Sequence, residues 1–91
     1  MQFGVHVFPT EFSIQPGELA QAAEERGLDS VWFSEHTHIP VRFLNAEGRG
    51  ASLPDYYWQT YDLFVAMTLA AAATQTIKVG SGVCLVIERD P

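Results

Sequence analysis

The sequence predicts an α/β protein built on a parallel sheet, and three observations carry that prediction. Two short runs rich in β-branched and aromatic residues, at 3–8 and 30–34, flank a segment at 16–26 with helix start and stop signals. A second helical segment at 61–74 leads into a third β-rich run at 76–86. Strands alternating with helices at this spacing are joined by crossovers, which make neighbouring strands parallel.

The first run, "FGVHVF", is apolar on both faces and ends at Pro9. That suits a strand covered by helices better than one wetted on a side. In "QPGELAQAAEERG", Pro16 takes the first turn with Glu18, and Leu19, Ala22, Ala23 and Arg26 follow at helical spacing before Gly27 stops the helix. Leu28 stands where the apolar residue of a Schellman cap belongs. "SVWFS" is the second strand. Pro40, Gly48, Gly50 and Pro54 break any period over 37–59, so a long loop is expected there, with a helical turn near "DYYW".

Thr60 or Asp62 caps the second helix, and Ala66, Ala70 and Ala73 share one face for close approach to a sheet. "TIKVGSGVCLV" is the third strand, with Gly80 and Gly82 marking a bulge, a bend or a close backbone approach. Three strands with two crossovers of one hand leave a sheet face and two edges uncovered, so the chain is expected to be the opening piece of a larger fold.

Composition excludes several classes. The 91 residues are 47% hydrophobic and 18% charged, a profile of packed domains rather than disordered segments. Net charge is −6, and Arg26, Arg42, Arg49, Lys78 and Arg89 form no basic stripe, which argues against nucleic acid. Cys84 is the lone cysteine and reads as a buried structural thiol in a reducing compartment. "MQFGVHVF" lacks a signal-peptide pattern, and the apolar run at 63–73 has about half the ~20 residues a bilayer span requires. A cytoplasmic location without membrane attachment is expected.

In parallel α/β folds, function gathers at the C-terminal ends of strands, where the βα loops meet. Phe8 to Thr10, Glu35 to His38 and Ser81 to Val83 occupy those ends. A histidine at a strand end suits proton transfer or orientation of a substrate oxygen, which singles out His36; the plainer alternative is a residue that satisfies loop backbone. "HTH" also has the spacing of a His-x-His zinc pair, a minor alternative because further ligands are missing. "GSG" at 80–82 lacks the third glycine and following helix of a dinucleotide fingerprint. Gly82 reads instead as backbone beneath a flat ring, or as an aid to packing in a curved strand. The group "YYW" at 56–58 is expected to pack its loop onto the adjacent helix, His6 to be a hydrogen-bonded core residue, and Glu18, Glu24 and Glu25 to form a solvated helix face.

Taken together, "FGVHVFPTEFSI", "AAEERGLDSVWFSEHTHIP", "LAAAATQTIKVGSGVCLV" and "ERDP" resemble the N-terminal part of the luciferase-like monooxygenase superfamily, above all its coenzyme F420-dependent branch. The resemblance spans nearly the whole chain. It implies an α/β fold that is a partial TIM (β/α)8 barrel, its first three parallel strands and two helices, as one incomplete domain over 1–91. By the same resemblance His36 is the active-site histidine, and Glu35 is the acidic neighbour that helps hold the cofactor ring. Ser81, Gly82 and Val83 are cofactor-binding, with a non-prolyl cis bond between Gly82 and Val83.

The implied cofactor is F420, with FMN as alternative, and the implied chemistry is hydride transfer or oxygen activation on a small-molecule substrate in a homodimeric full-length enzyme. A free chain of this length, lacking the later strands that hold the cofactor phosphate, is expected to bind cofactor poorly and to be inactive. The contrasting reading is a short non-catalytic protein that assembles, or binds a partner, through exposed sheet edges.

Overall fold

A computed structural model describes residues 1–42, 48, 50 and 52–90. Arg49, Pro91 and, within the expected loop, 43–47 and 51 lie outside the described residues. The elements run β1 (Gly4–Val7), α1 (Pro16–Glu25), β2 (Ser30–Phe33), a 3-10 turn (Asp55–Gln59), α2 (Leu63–Ala72), β3 (Lys78–Ser81) and a second 3-10 turn (Val86–Glu88). The sheet is parallel throughout in the order β1-β2-β3. Strand order that follows chain order is that of the opening of a barrel, and it is shared by the first half of a doubly wound sheet, which reverses only after its third strand.

Central β2 explains the layering. Val31 and Phe33 point to the helices and are fully buried against Ala20 of α1 and Leu63, Ala66 and Ala70 of α2. Side chains the size of Phe33 and Leu63 contribute about 1.5–3 kcal/mol each on full burial. Trp32, of opposite parity, is 42% exposed on the face that no helix covers. Small residues let the layers close: a Cβ on Gly17 would stand 3.4 Å from the Ala73 Cβ, so α1 and α2 touch almost backbone to backbone.

Helix ends follow their expected chemistry. Pro16 sits in the first turn of α1. At its other end Gly27 takes φ +75°, its N–H donates to the Glu24 carbonyl at 3.0 Å, and the Leu28 N–H donates to the Ala23 carbonyl at 3.0 Å. These two bonds are the complete Schellman motif. For α2 the cap is Asp62, whose Oδ1 accepts from the N–H groups of Phe64 at 2.9 Å and Val65 at 3.1 Å.

Four expectations are corrected. The third strand stops at Ser81 rather than 86, because β2 ends at Phe33 and offers one last carbonyl. The N–H groups of Gly82 and Val83 both point to that oxygen, at 2.6 and 3.4 Å, and the chain then curls into the second 3-10 turn. The Gly82–Val83 peptide is trans, as are all the described peptide bonds. A cis bond there would cost about 3–4 kcal/mol, and none is needed for both N–H groups to reach Phe33.

Glu24 is not simply solvated: its carboxylate accepts from the N–H groups of Gln75 (3.0 Å), Thr76 (2.6 Å) and Ile77 (2.9 Å), clamping the turn between α2 and β3. Its pKa falls to about 2, chiefly through the Thr76 and Ile77 N–H groups, against a smaller opposing effect of burial. Cys84 is half-buried at the edge of the core rather than enclosed in it.

Candidate functional site at the C-terminal end of the sheet

The three strand ends are joined to one another by polar contacts between their loops. From β1, the Pro9 carbonyl accepts from the Tyr61 N–H at 3.0 Å, and Thr10 forms an antiparallel bridge with Thr60. Thr60 also donates its hydroxyl to the His36 carbonyl at 2.9 Å, tying the loop after β2 to the same segment. The loops after β2 and β3 meet through Thr37, whose N–H and hydroxyl donate to Glu88 Oε2 at 3.3 and 2.8 Å. Thr60 was legible only as a possible cap, since its actual role depends on which segments lie beside it.

Glu35 is the deepest of these joints. Its side chain is fully buried and faces the helices with Phe33 and Val31. The Leu63 N–H at 3.4 Å, the Leu85 N–H at 3.0 Å and Arg89 Nε at 3.0 Å donate to it, and Arg89 Nη2 completes a bidentate ion pair. Burial pushes its carboxyl up, but the Arg89 fork and the Leu85 and Leu63 N–H groups outweigh burial and hold it below the usual range. Arg89 in turn reaches Asp62 Oδ2 at 2.9 Å and lies 4.6 Å above the Phe64 ring. Glu35 therefore fixes the loops that shape the site, and its carboxylate is turned away from the open sheet face.

His36 is half-buried in an aromatic cluster, its ring centroid 4.9 Å from Tyr57 and 6.1 Å from Phe8. Tyr56 stacks on Tyr57 at 4.7 Å and meets the edge of Phe8 at 5.4 Å. "YYW" thus forms a wall at the mouth, for Tyr56 and Tyr57, rather than a plug against α2. The chelating reading of "HTH" finds no geometry: His36 turns into the rings, while His38 Nδ1 lies 3.1 Å from the Thr37 hydroxyl. No three His, Cys, Asp or Glu side chains converge as a metal set among the described residues.

Ser81, Gly82 and Val83 are exposed at the end of β3, on the same end of the sheet as His36. The side chains nearest Gly82, however, belong to His6 and Ser34. A Cβ at Gly82 would stand 2.7 Å from His6 Cδ2 and 3.1 Å from Ser34 Oγ. Gly80 is covered in the same way by Trp32, whose ring carbons would lie 2.6 Å from a Cβ there, while the indole Nε1–H donates to Ser30 Oγ at 2.8 Å.

His6 is not a core residue: it is exposed on the helix-free face, with Nε2 2.7 Å from the hydroxyl of buried Ser34. Register explains the placement, because pairing of His6 with Trp32 puts both on one rung and one face. Sequence reasoning lacked that register. A cavity of about 540 Å³ opens here; its lining includes His6, Phe8, Phe12, Tyr56 and Tyr57, with Thr10 and Ser13. His6 lines it, whereas His36 lines a smaller cavity of about 190 Å³ on the other side of Tyr57.

No helix among the described residues is long and apolar enough to cross a membrane. The sequence model of the family described as luciferase-like monooxygenase matches residues 13–91. Uncharacterized proteins of Mycobacterium bovis and Mycobacterium tuberculosis are 37% identical to the chain over its full length, which covers 33% of theirs. A 5,10-methylenetetrahydromethanopterin reductase of Methanolobus tindarius is 25% identical over 91% of this chain and 19% of its own. The chain thus spans about a third or less of the length of these curated relatives. No solved structure matches it significantly. With a family match over most of its length, on an α/β sheet of three parallel strands, the chain belongs to the luciferase-like monooxygenase family.

Proposed function

We propose that these residues form the opening third of a barrel oxidoreductase that transfers hydride between coenzyme F420 and a small molecule at the C-terminal mouth, with FMN as the alternative cofactor. The observation that carries the proposal is the convergence of the three strand ends on one open, aromatic face, in a chain of this family. The preference for hydride transfer over oxygenation rests on the distant relative named a reductase.

The site suits a flat, weakly polar ring: Trp32 is exposed on the bare face, and Ser81, Gly82 and Val83 are exposed residues beside it. A ring placed here would rest against Trp32 and His6, which already fill the space above the two glycines. Its phosphate must be held by other residues, since Arg89 is engaged by Glu35 and Asp62, and Lys78 lies near Asp29 at the opposite end. The deazaflavin supplies hydride acceptance when bound. In this reading His36 moves the proton of a substrate hydroxyl, and Glu35 acts on the ring's surroundings by fixing the loops after β2 and β3.

Titration of the protein expressed from its own gene with F420 and with FMN tests the proposal. Saturable quenching of F420 fluorescence without FMN binding is expected. Binding of FMN alone would overturn the deazaflavin preference, and binding of neither would overturn the oxidoreductase reading.

A second reading, assembly with another chain, is favoured by the outer face of α2, where Phe64, Val65 and Leu69 are exposed by 54%, 51% and 44%. A homodimer agrees with both readings, and sedimentation of Phe64→Glu against the unaltered protein tests it: dissociation is expected, and an unchanged mass would exclude this face.

A further inference from the structure

We infer that His6 is the hydrogen-bonding group for a ligand oxygen in the 540 Å³ cavity, and that Ser34 and the bare backbone of Gly82 hold its ring in place for that purpose. The ligand class is an uncharged, largely apolar small molecule with one hydroxyl or carbonyl oxygen. The inference concerns this chain's own side chains and stands whichever cofactor is bound.

The lining of the cavity sets the ligand's character. Among the described residues no Asp, Glu, Lys or Arg contributes to it, so a charged molecule would find no partner of opposite charge there. Phe8, Phe12, Tyr56 and Tyr57 supply broad ring surfaces. Burial and then the neighbouring Tyr57 push the Tyr56 phenol up, which keeps it neutral. Of the remaining polar groups, Thr10 and Ser13 bond each other: Thr10 Oγ1 accepts from the Ser13 N–H at 3.1 Å, and the Ser13 hydroxyl donates to the Thr10 carbonyl at 3.0 Å. His6 has a different arrangement. Its Nε2 is taken by Ser34 at 2.7 Å, and Nδ1 has no hydrogen-bond partner among the described residues.

That pairing lets one side chain serve either oxygen. When the Ser34 hydroxyl donates to Nε2, Nδ1 carries the proton and donates to a carbonyl; when Nε2–H donates to Ser34, Nδ1 accepts from a hydroxyl. Ser34 is 3% exposed and finds its partner in His6, so the imidazole also satisfies a buried hydroxyl. Glycine at 82 follows from the same geometry, because any Cβ would fall 2.8 Å from His6 Nε2 and drive the ring off Ser34.

Histidine-labelled protein, followed by NMR during titration with benzyl alcohol, acetophenone and toluene, tests this. The two oxygen-bearing probes are expected to bind about tenfold more tightly than toluene, the size of one net hydrogen bond, and to shift the His6 ring signals without moving those of His38. His6→Ala is expected to abolish the tenfold preference, weakening the two oxygen-bearing probes more than toluene. Gly82→Ala should do the same although His6 is still present, a result that a merely structural glycine would not produce. His6→Gln, which keeps a polar side chain, serves as a second variant, with far-UV circular dichroism to establish that each variant is folded; partial recovery of the preference is expected. Equal affinity for all three probes, binding of none, or a preference that survives His6→Ala overturns the proposal. Unmoved His6 signals in Gly82→Ala overturn the positioning role of the glycine.

Discussion

Glu35 and Arg89, 54 positions apart, meet in a bidentate ion pair beneath the mouth, with Nε 3.0 Å from Oε1 and the carboxylate fully buried. The pair joins the segment after β2 to the segment after β3 at the point where the backbone ladder ends. Removing one partner strands the other. Arg89→Met, which leaves a buried carboxylate, is expected to cost about 3 kcal/mol, and Glu35→Ala about as much. The double variant should cost clearly less than the sum. Urea unfolding of the four proteins checks this, and additive losses would show that the two residues act independently.

Acid should unfold the protein in a window set by its clamped carboxylates. Glu24 is lowered from 4.5 to about 2, and Glu35, Asp62 and Glu88 are also lowered. A group with a depressed folded pKa binds fewer protons when folded. Its stabilisation is therefore complete above the unfolded value and disappears as pH falls through the folded one. For Glu24 the loss runs from about 4.5 down to about 2. Glu24→Gln should be less stable at pH 7 and show a shallower decline across that window, measured as urea midpoints at stepped pH; parallel curves would contradict the clamp.

Trp32 reports on the bare face. Gly80→Ala places a methyl 2.6 Å from the indole, so the ring must lift away from β3 and break its bond to Ser30. A red-shifted Trp32 emission is expected in a Trp58→Phe background, with a stability loss of about 1–3 kcal/mol for overpacking. Unchanged emission would mean that the indole does not lie on Gly80.

The two helix caps make opposite demands on the side chain. Gly27→Ala adds nothing that touches another atom, yet φ +75° penalises any Cβ by about 1–2 kcal/mol. Asp62→Ala removes acceptors for Phe64 and Val65 and should cost about 0.5–2 kcal/mol, with a further loss from Arg89. Thermal unfolding separates them: Gly27→Asn should recover part of its loss, because asparagine tolerates the left-handed region, while Asp62→Asn should keep the cap and lose the Arg89 charge pair.

Local chemistry by itself determined the order of strands and helices, both ends of α1, the Asp62 cap as one of two candidates, and the family resemblance. Those features depend on residues within a few positions of one another, and pattern or backbone preference decides them. Tertiary structure decided what depends on register and on contacts across the chain. It turned Glu35 inward to Arg89, set Glu24 on the turn before β3, and ended β3 at Ser81, where its pairing with β2 stops at Phe33. It also placed His6, rather than His36, beside Gly82, since only the pairing of β1, β2 and β3 brings positions 6, 34 and 82 onto one face.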